Sequence, residues 1–305
     1  MSNFAFNNPA FQQQDPRNVA TYPGNPQAAQ GAQAASFQHA GMDAAVNAQL
    51  EGMYAAPSAG SLETDRMSVE DTVWKTAGLF GILLVTAAIG WVLTLGGLSA
   101  PRFDPYSDFA PNLLPWMIGA LGGFVLAMIV TFTSRKKVRP ALIFAYAAFE
   151  GLFIGGISAY FEVLWPGIVM QATLATVAVV GVTLALFASG KIRASKKMTK
   201  IVMIAMLGYL VFSLLNVVLM WTGVNDNAFG LLSQPIAGIP LGLIIGVLVV
   251  FMAAYSLVLD FDQIQQGVRN GAPRTYGWLG AFGIMVTVVW LYIEILRMIA
   301  IARSN

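Results

Sequence analysis

Carboxylates are the reactive groups this chain offers, and several sit where a carboxylate is unfavourable. Asp260 and Asp262 close an apolar run in LVLDFDQIQQG, Glu150 lies inside another in AYAAFEGLFIGG, and Glu294 and Arg297 interrupt a third in VVWLYIEILRMIA. Their oxygens suit protons or hard cations such as calcium, which take oxygen ligands. A carboxylate at mid-depth in a bilayer costs at least about 2.5 kcal/mol unless it is protonated, paired or wetted. Other chemistries lack their residues. There is no cysteine, and the one histidine, His39, lies in a polar tail. Disulfides, thiolate metal sites, zinc–histidine sites and serine–histidine triads are thereby excluded. Asp260 has no aspartate partner in the last apolar run for an aspartyl protease, and glycine-rich pieces such as GALGG follow no strand and read as helix packing. No enzyme and no resident cofactor are expected.

The elements that must position these acids are membrane helices. Hydrophobic residues make up 57% of the 305, and charged residues 10%, against about 25% in ordinary soluble domains. The net charge of +2 is too small to point to nucleic acid. Residues 1–71, rich in Gln, Asn, Ala, Pro and Gly, read as a disordered cytoplasmic tail, either passive or a binding segment, because they cannot bury enough apolar surface to offset ordering entropy. Residues 72–305 form the membrane domain. Its seven apolar runs, near 74–95, 113–133, 141–161, 167–188, 199–221, 238–259 and 277–301, have the roughly 20-residue length of a bilayer-spanning helix. Basic residues concentrate in alternate connections: Arg135, Lys136, Lys137 and Arg139; Lys191, Arg193, Lys196, Lys197 and Lys200; Arg269 and Arg274. The amino terminus is therefore expected in the cytoplasm and the carboxyl end outside.

Small residues mark the faces that pack inward. In span six they run through Gly242, Gly246, Val249, Ala253, Ser256 and Asp260, opposed by Ile244, Leu248, Phe251, Tyr255 and Val258. In span seven Tyr276, Gly280, Gly283, Thr287, Trp290, Glu294 and Arg297 share a face, opposed by Met285, Val288, Val289, Tyr292, Ile293 and Leu296. Span three places Glu150 beside Ala147, Gly151, Gly155 and Ser158. Asp262 is turned about 200° from Asp260, at about 100° per residue, and reads as a solvated helix-end charge. Asp260 at the inner boundary, Glu150 near the middle and Glu294 about 26 Å up span seven form a ladder at three heights. Structural readings stand beside the ladder: an ion pair between Glu294 and Arg297, a neutral Glu150 bonded to Tyr146, and a helix-end charge at Asp260.

FEGLFIGGIS in span three, LDFDQIQQG in span six and WLYIEILRMI in span seven resemble the Bax inhibitor-1 family, particularly its bacterial YccA-like branch, over residues 73–301. The resemblance implies an all-α bundle of seven spans with the seventh central. It also implies a pH-sensitive calcium leak controlled by paired aspartates on spans six and seven. Asp260 matches the first of these and Glu150 the acidic position of span three. Counting back from Arg297, which matches the family's arginine, the second aspartate falls on Thr287. Thr287 cannot share a proton, and the nearest acid on its face, Glu294, is two turns further out.

Two functions are expected from these features. The first is a calcium-permeable, pH-sensitive leak or other cation pathway in a bacterial inner membrane, with Asp260 as the metal contact. The second is a non-conducting regulator that binds a membrane protease or another membrane protein, for which the tail would suit presentation.

Overall fold

The apolar runs fold, in a computed structural model that describes residues 65–97, 111–224 and 227–304, into seven long helices. These are α1 (Val69–Thr94), α2 (Leu114–Thr133), α3 (Pro140–Leu164), α4 (Ile168–Ala188), α5 (Lys196–Trp221), α6 (Leu241–Arg269) and α7 (Tyr276–Ser304). All seven are long and apolar enough to cross a membrane. The disordered-tail reading of residues 1–64, with His39, lies outside the described residues.

Two boundaries differ from the sequence expectation. Residues 65–71, assigned to the tail, belong to the bundle: Met67 is buried and donates its amide to the Ala272 carbonyl at 2.7 Å. Ser68 caps α1 by accepting from the Asp71 amide. The sixth span was expected to end near 259, but α6 continues to Arg269. Its polar extension is amphipathic, burying Ile264 and Gly267 while Asp262, Gln265 and Gln266 stay partly exposed. Alternation of this kind suits a helix packed on one side. Asp260 is thus inside a helix and is no helix-end charge.

Small residues set the packing of the amino-terminal half. Helix α3 lies along both α1 and α2. A Cβ added at Gly155 would meet the backbone of Ala87, and one at Gly119 the backbone of Phe153. Close backbone approach through glycines is the membrane substitute for hydrophobic association. We expect Gly155→Ala to cost about 1–3 kcal/mol through overpacking, since the obstructing atoms are main chain. The thermal midpoint of the detergent-solubilised protein checks this, with Gly181→Ala, where an added Cβ meets nothing within 4 Å, as the control.

The seventh helix is the axis. It packs against α1, α3, α4 and α6, and no residue from Tyr276 to Ile301 is exposed. Its two sides carry two cores, one around Phe282 and Met285 with α1 and α3, the other around Leu291 and Leu296 with α4 and α6. The expected opposition of faces on α7 therefore fails in one respect: Met285, Val289 and Leu296 are as buried as Gly280 and Thr287, because partners surround the helix. On α6 the small stripe from Gly242 to Asp260 is buried as expected, and Leu248 and Phe251 are exposed. Val258 is an exception, buried where the carboxyl-terminal half of α6 becomes enclosed.

Helix α5 is the outlier, burying only Val202 and Asn216 among its residues. Asn216 does not bridge to another spanning helix. It accepts from the Leu231 amide at 2.7 Å and donates to the Phe229 carbonyl at 3.1 Å, pinning the connection to α6.

Candidate functional site: carboxylates inside the bundle

Asp260 reaches α7 from the enclosed half of α6. It is 2% exposed, and its Oδ2 accepts a hydrogen bond from Thr287 Oγ1 at 2.6 Å. Among the described residues no lysine or arginine pairs with it. A buried carboxylate opposite a neutral hydroxyl has its geometry fixed but its charge uncompensated. Such a group holds a proton or a cation.

Glu150 is partly buried on α3 and is hydrogen-bonded to Tyr146 one turn earlier. Its carboxylate lies over α2 at Gly123, where an added Cβ would stand 2.9 Å from Oε2. The glycine leaves room for the acid.

Glu294 differs from both. It forms an ion pair with Arg297, accepts from Tyr209 Oη of α5 at 2.5 Å and from Trp290 Nε1 at 3.3 Å, and is 5% exposed. The Arg297 guanidinium also lies 5.7 Å from the centre of the Tyr209 ring. Glu294 has both a counter-charge and neutral donors, so its negative charge is matched within the protein. Asp262 accepts from Gln266 at 2.8 Å within α6.

Heights within the bundle revise the ladder. Helices α3 and α7 run side by side in register: Tyr146 meets Phe282 with ring centres 4.9 Å apart, and Ser158 meets Tyr292 at 2.7 Å. Glu150 and Thr287 therefore fall within about one turn of the same height, each roughly 15 Å along its helix at 1.5 Å per residue. Asp260, bonded to Thr287, is consequently at mid-depth and not at the inner boundary. Glu294 stands about 10 Å further out. The three acids occupy two levels.

Sequence reasoning missed a second ionic cluster, where the start of α1 meets the connection from α6 to α7. Asp71 pairs with Lys75 and, at 2.9 Å, with Arg274; Lys75 Nζ also donates to the Arg274 carbonyl at 2.7 Å. Lys75 is 7% exposed and lies 5.4 Å from the Trp278 ring centre. The four-residue spacing of Asp71 and Lys75 was the available signal. Tyr209 and Tyr292 were missed as site residues too; Tyr292 was placed on the face away from the polar side, yet it bonds to Ser158 of the small stripe on α3.

A seven-helix bundle of this kind, with apolar outer faces and acids inside, is a multi-pass integral membrane protein. The profile of the family described as Bax inhibitor 1 like matches residues 8–304, and the chain belongs to that family. The match begins well before residue 73, where the sequence resemblance was first drawn, and so takes in most of the tail. Searches of curated proteins and of solved structures each found no match.

Proposed function

We propose that this protein is a pH-sensitive cation leak, permeable to calcium, whose titratable oxygens are Asp260 and Glu150 at mid-depth. The observation that carries the reading is Asp260, nearly sealed from solvent, bonded to Thr287 and, among the described residues, without a basic partner. Proton and cation compete for the same carboxylate oxygens, so occupancy by one excludes the other. Among the described residues no three His, Cys, Asp or Glu side chains gather to hold a metal. Asp260 is therefore read as a transit contact for the ion, without the further carboxylates a storage site would gather. Glu294, with Arg297 and Tyr209, is a structural cluster about 10 Å away along α7. The surrounding membrane is taken to be a bacterial inner membrane with the amino terminus cytoplasmic, in keeping with the basic connections.

Calcium entry into liposomes containing the purified protein, measured over a pH series beside empty liposomes, tests the proposal. We expect entry above background that changes with pH. Background entry at every pH overturns it and favours the non-conducting regulator, whose partner the tail would capture.

A further inference from the structure

Helices α4, α5 and α6 leave a cleft of about 960 Å³ between them, at the upper end of ligand-site volumes. It runs from Met198 to Phe212 along α5, about 21 Å at 1.5 Å per residue, compared with about 15 Å for one leaflet of a hydrocarbon core. Its polar lining groups are few, Thr183, Tyr209 and Tyr255, and the two tyrosines are already engaged. The Tyr209 hydroxyl donates to Glu294, and the Tyr255 hydroxyl is tied to Ser195 and Thr199. The body of any occupant must therefore be apolar.

The mouth has the opposite character. Ile192, Met198 and Ile201 line the cleft and alternate in sequence with Lys191, Arg193, Lys197 and Lys200, with Lys196 adjoining. Arg193 is held by Gln265 at 3.1 Å and lies over the Phe187 ring. The four lysines are exposed, and among the described residues none has an acidic partner. The positive-inside tendency accounts for basic residues in this connection, but not for their position beside the open end of an apolar slot. An apolar cavity as long as an acyl chain with a cationic rim is complementary to one class of molecule.

We infer that this cleft is a binding site for an anionic phospholipid, its chain between α4, α5 and α6 and its phosphate among Lys191, Lys196, Lys197 and Lys200. The inference is independent of ion conduction. It also accounts for the sparse burial of α5, whose missing packing partner is then the lipid.

Native mass spectrometry of the full chain, exposed to equimolar phosphatidylglycerol and phosphatidylcholine with identical chains, provides the test. The wild type should retain phosphatidylglycerol preferentially. Each cation near an anionic headgroup is worth roughly fivefold in affinity, so a Lys196→Gln, Lys197→Gln, Lys200→Gln triple variant should lose about 100-fold in phosphatidylglycerol retention with phosphatidylcholine unchanged. All three side chains are exposed, so folding is spared. Gly208→Leu, at a lining position where an added Cβ meets nothing within 4 Å, should fill the slot and reduce both lipids. Equal retention of the two lipids by the wild type, an unchanged preference in the triple variant, or a lipid-free dimer with a second copy in the cleft would each overturn the assignment.

Discussion

Arg297→Met is expected to destabilise the bundle by about 3–5 kcal/mol, the usual consequence of removing one partner from a buried ion pair. The reason is the state in which it leaves Glu294. That carboxylate is 5% exposed and enclosed by Tyr209, Trp290 and the arginine. Without Arg297 two neutral donors remain, which orient the charge but do not balance it. The double variant Glu294→Gln, Arg297→Met should recover most of the loss, because a neutral amide can still accept from Tyr209 and Trp290. Replacing a whole buried pair by uncharged groups is often neutral or stabilising. Unfolding midpoints of the wild type, both single variants and the double variant in one detergent decide the matter. If Arg297→Met alone leaves the midpoint unchanged, the Glu294 charge is not balanced by Arg297 within the fold.

Arg297 also shows why part of this site could be read in advance. Glu294 and Arg297 are three residues apart, so their pairing follows from helix geometry alone. The inward stripe of α6 was legible for the same reason: Gly242, Gly246, Val249, Ala253 and Ser256 repeat at helical spacing and are buried. Thr287 was placed opposite Asp260 by resemblance, and the 2.6 Å bond joins the two.

What stayed hidden depends on contacts distant in the chain. Tyr209 reaches Glu294 across 85 residues from a helix with no small-residue stripe to announce a packed face. The depth of Asp260 was misread because Asp262, Gln263, Gln265 and Gln266 resemble the polar end of a span. Asp262, Gln265 and Gln266 are instead the outer side of a helix that continues for more than two turns, and Gln263 carries a buried side-chain oxygen. Hydropathy marks where an apolar run stops, whereas the helix stops only where its hydrogen bonding and packing do.

That difference in depth determines what Asp260 can do. At the inner boundary it would be a solvated charge of little consequence. At mid-depth, bonded among the described residues to a threonine hydroxyl alone, it is a group whose ionised form these residues do not compensate. Asp260→Asn keeps the size and the bond from Thr287 while removing the charge, so two effects should appear together. Stability at neutral pH should rise, by up to about 3 kcal/mol if the wild-type group is ionised there, since that is the scale for a carboxylate at bilayer depth. Cation entry into liposomes should fall at least about tenfold and keep only the weaker pH dependence that Glu150 supplies, because the buried oxygen that exchanges a proton for a metal is gone. Glu150→Gln should lower entry as well, with a smaller change in stability, because Glu150 is only partly buried. The double variant Glu294→Gln, Arg297→Met, which removes a matched pair of charges, should leave entry close to wild type. The ordering separates a conducting carboxylate from a structural one. Should Asp260→Asn conduct like the wild type while the double variant does not, the route runs past the Glu294–Arg297 pair of α7 and Asp260 is only a packing residue.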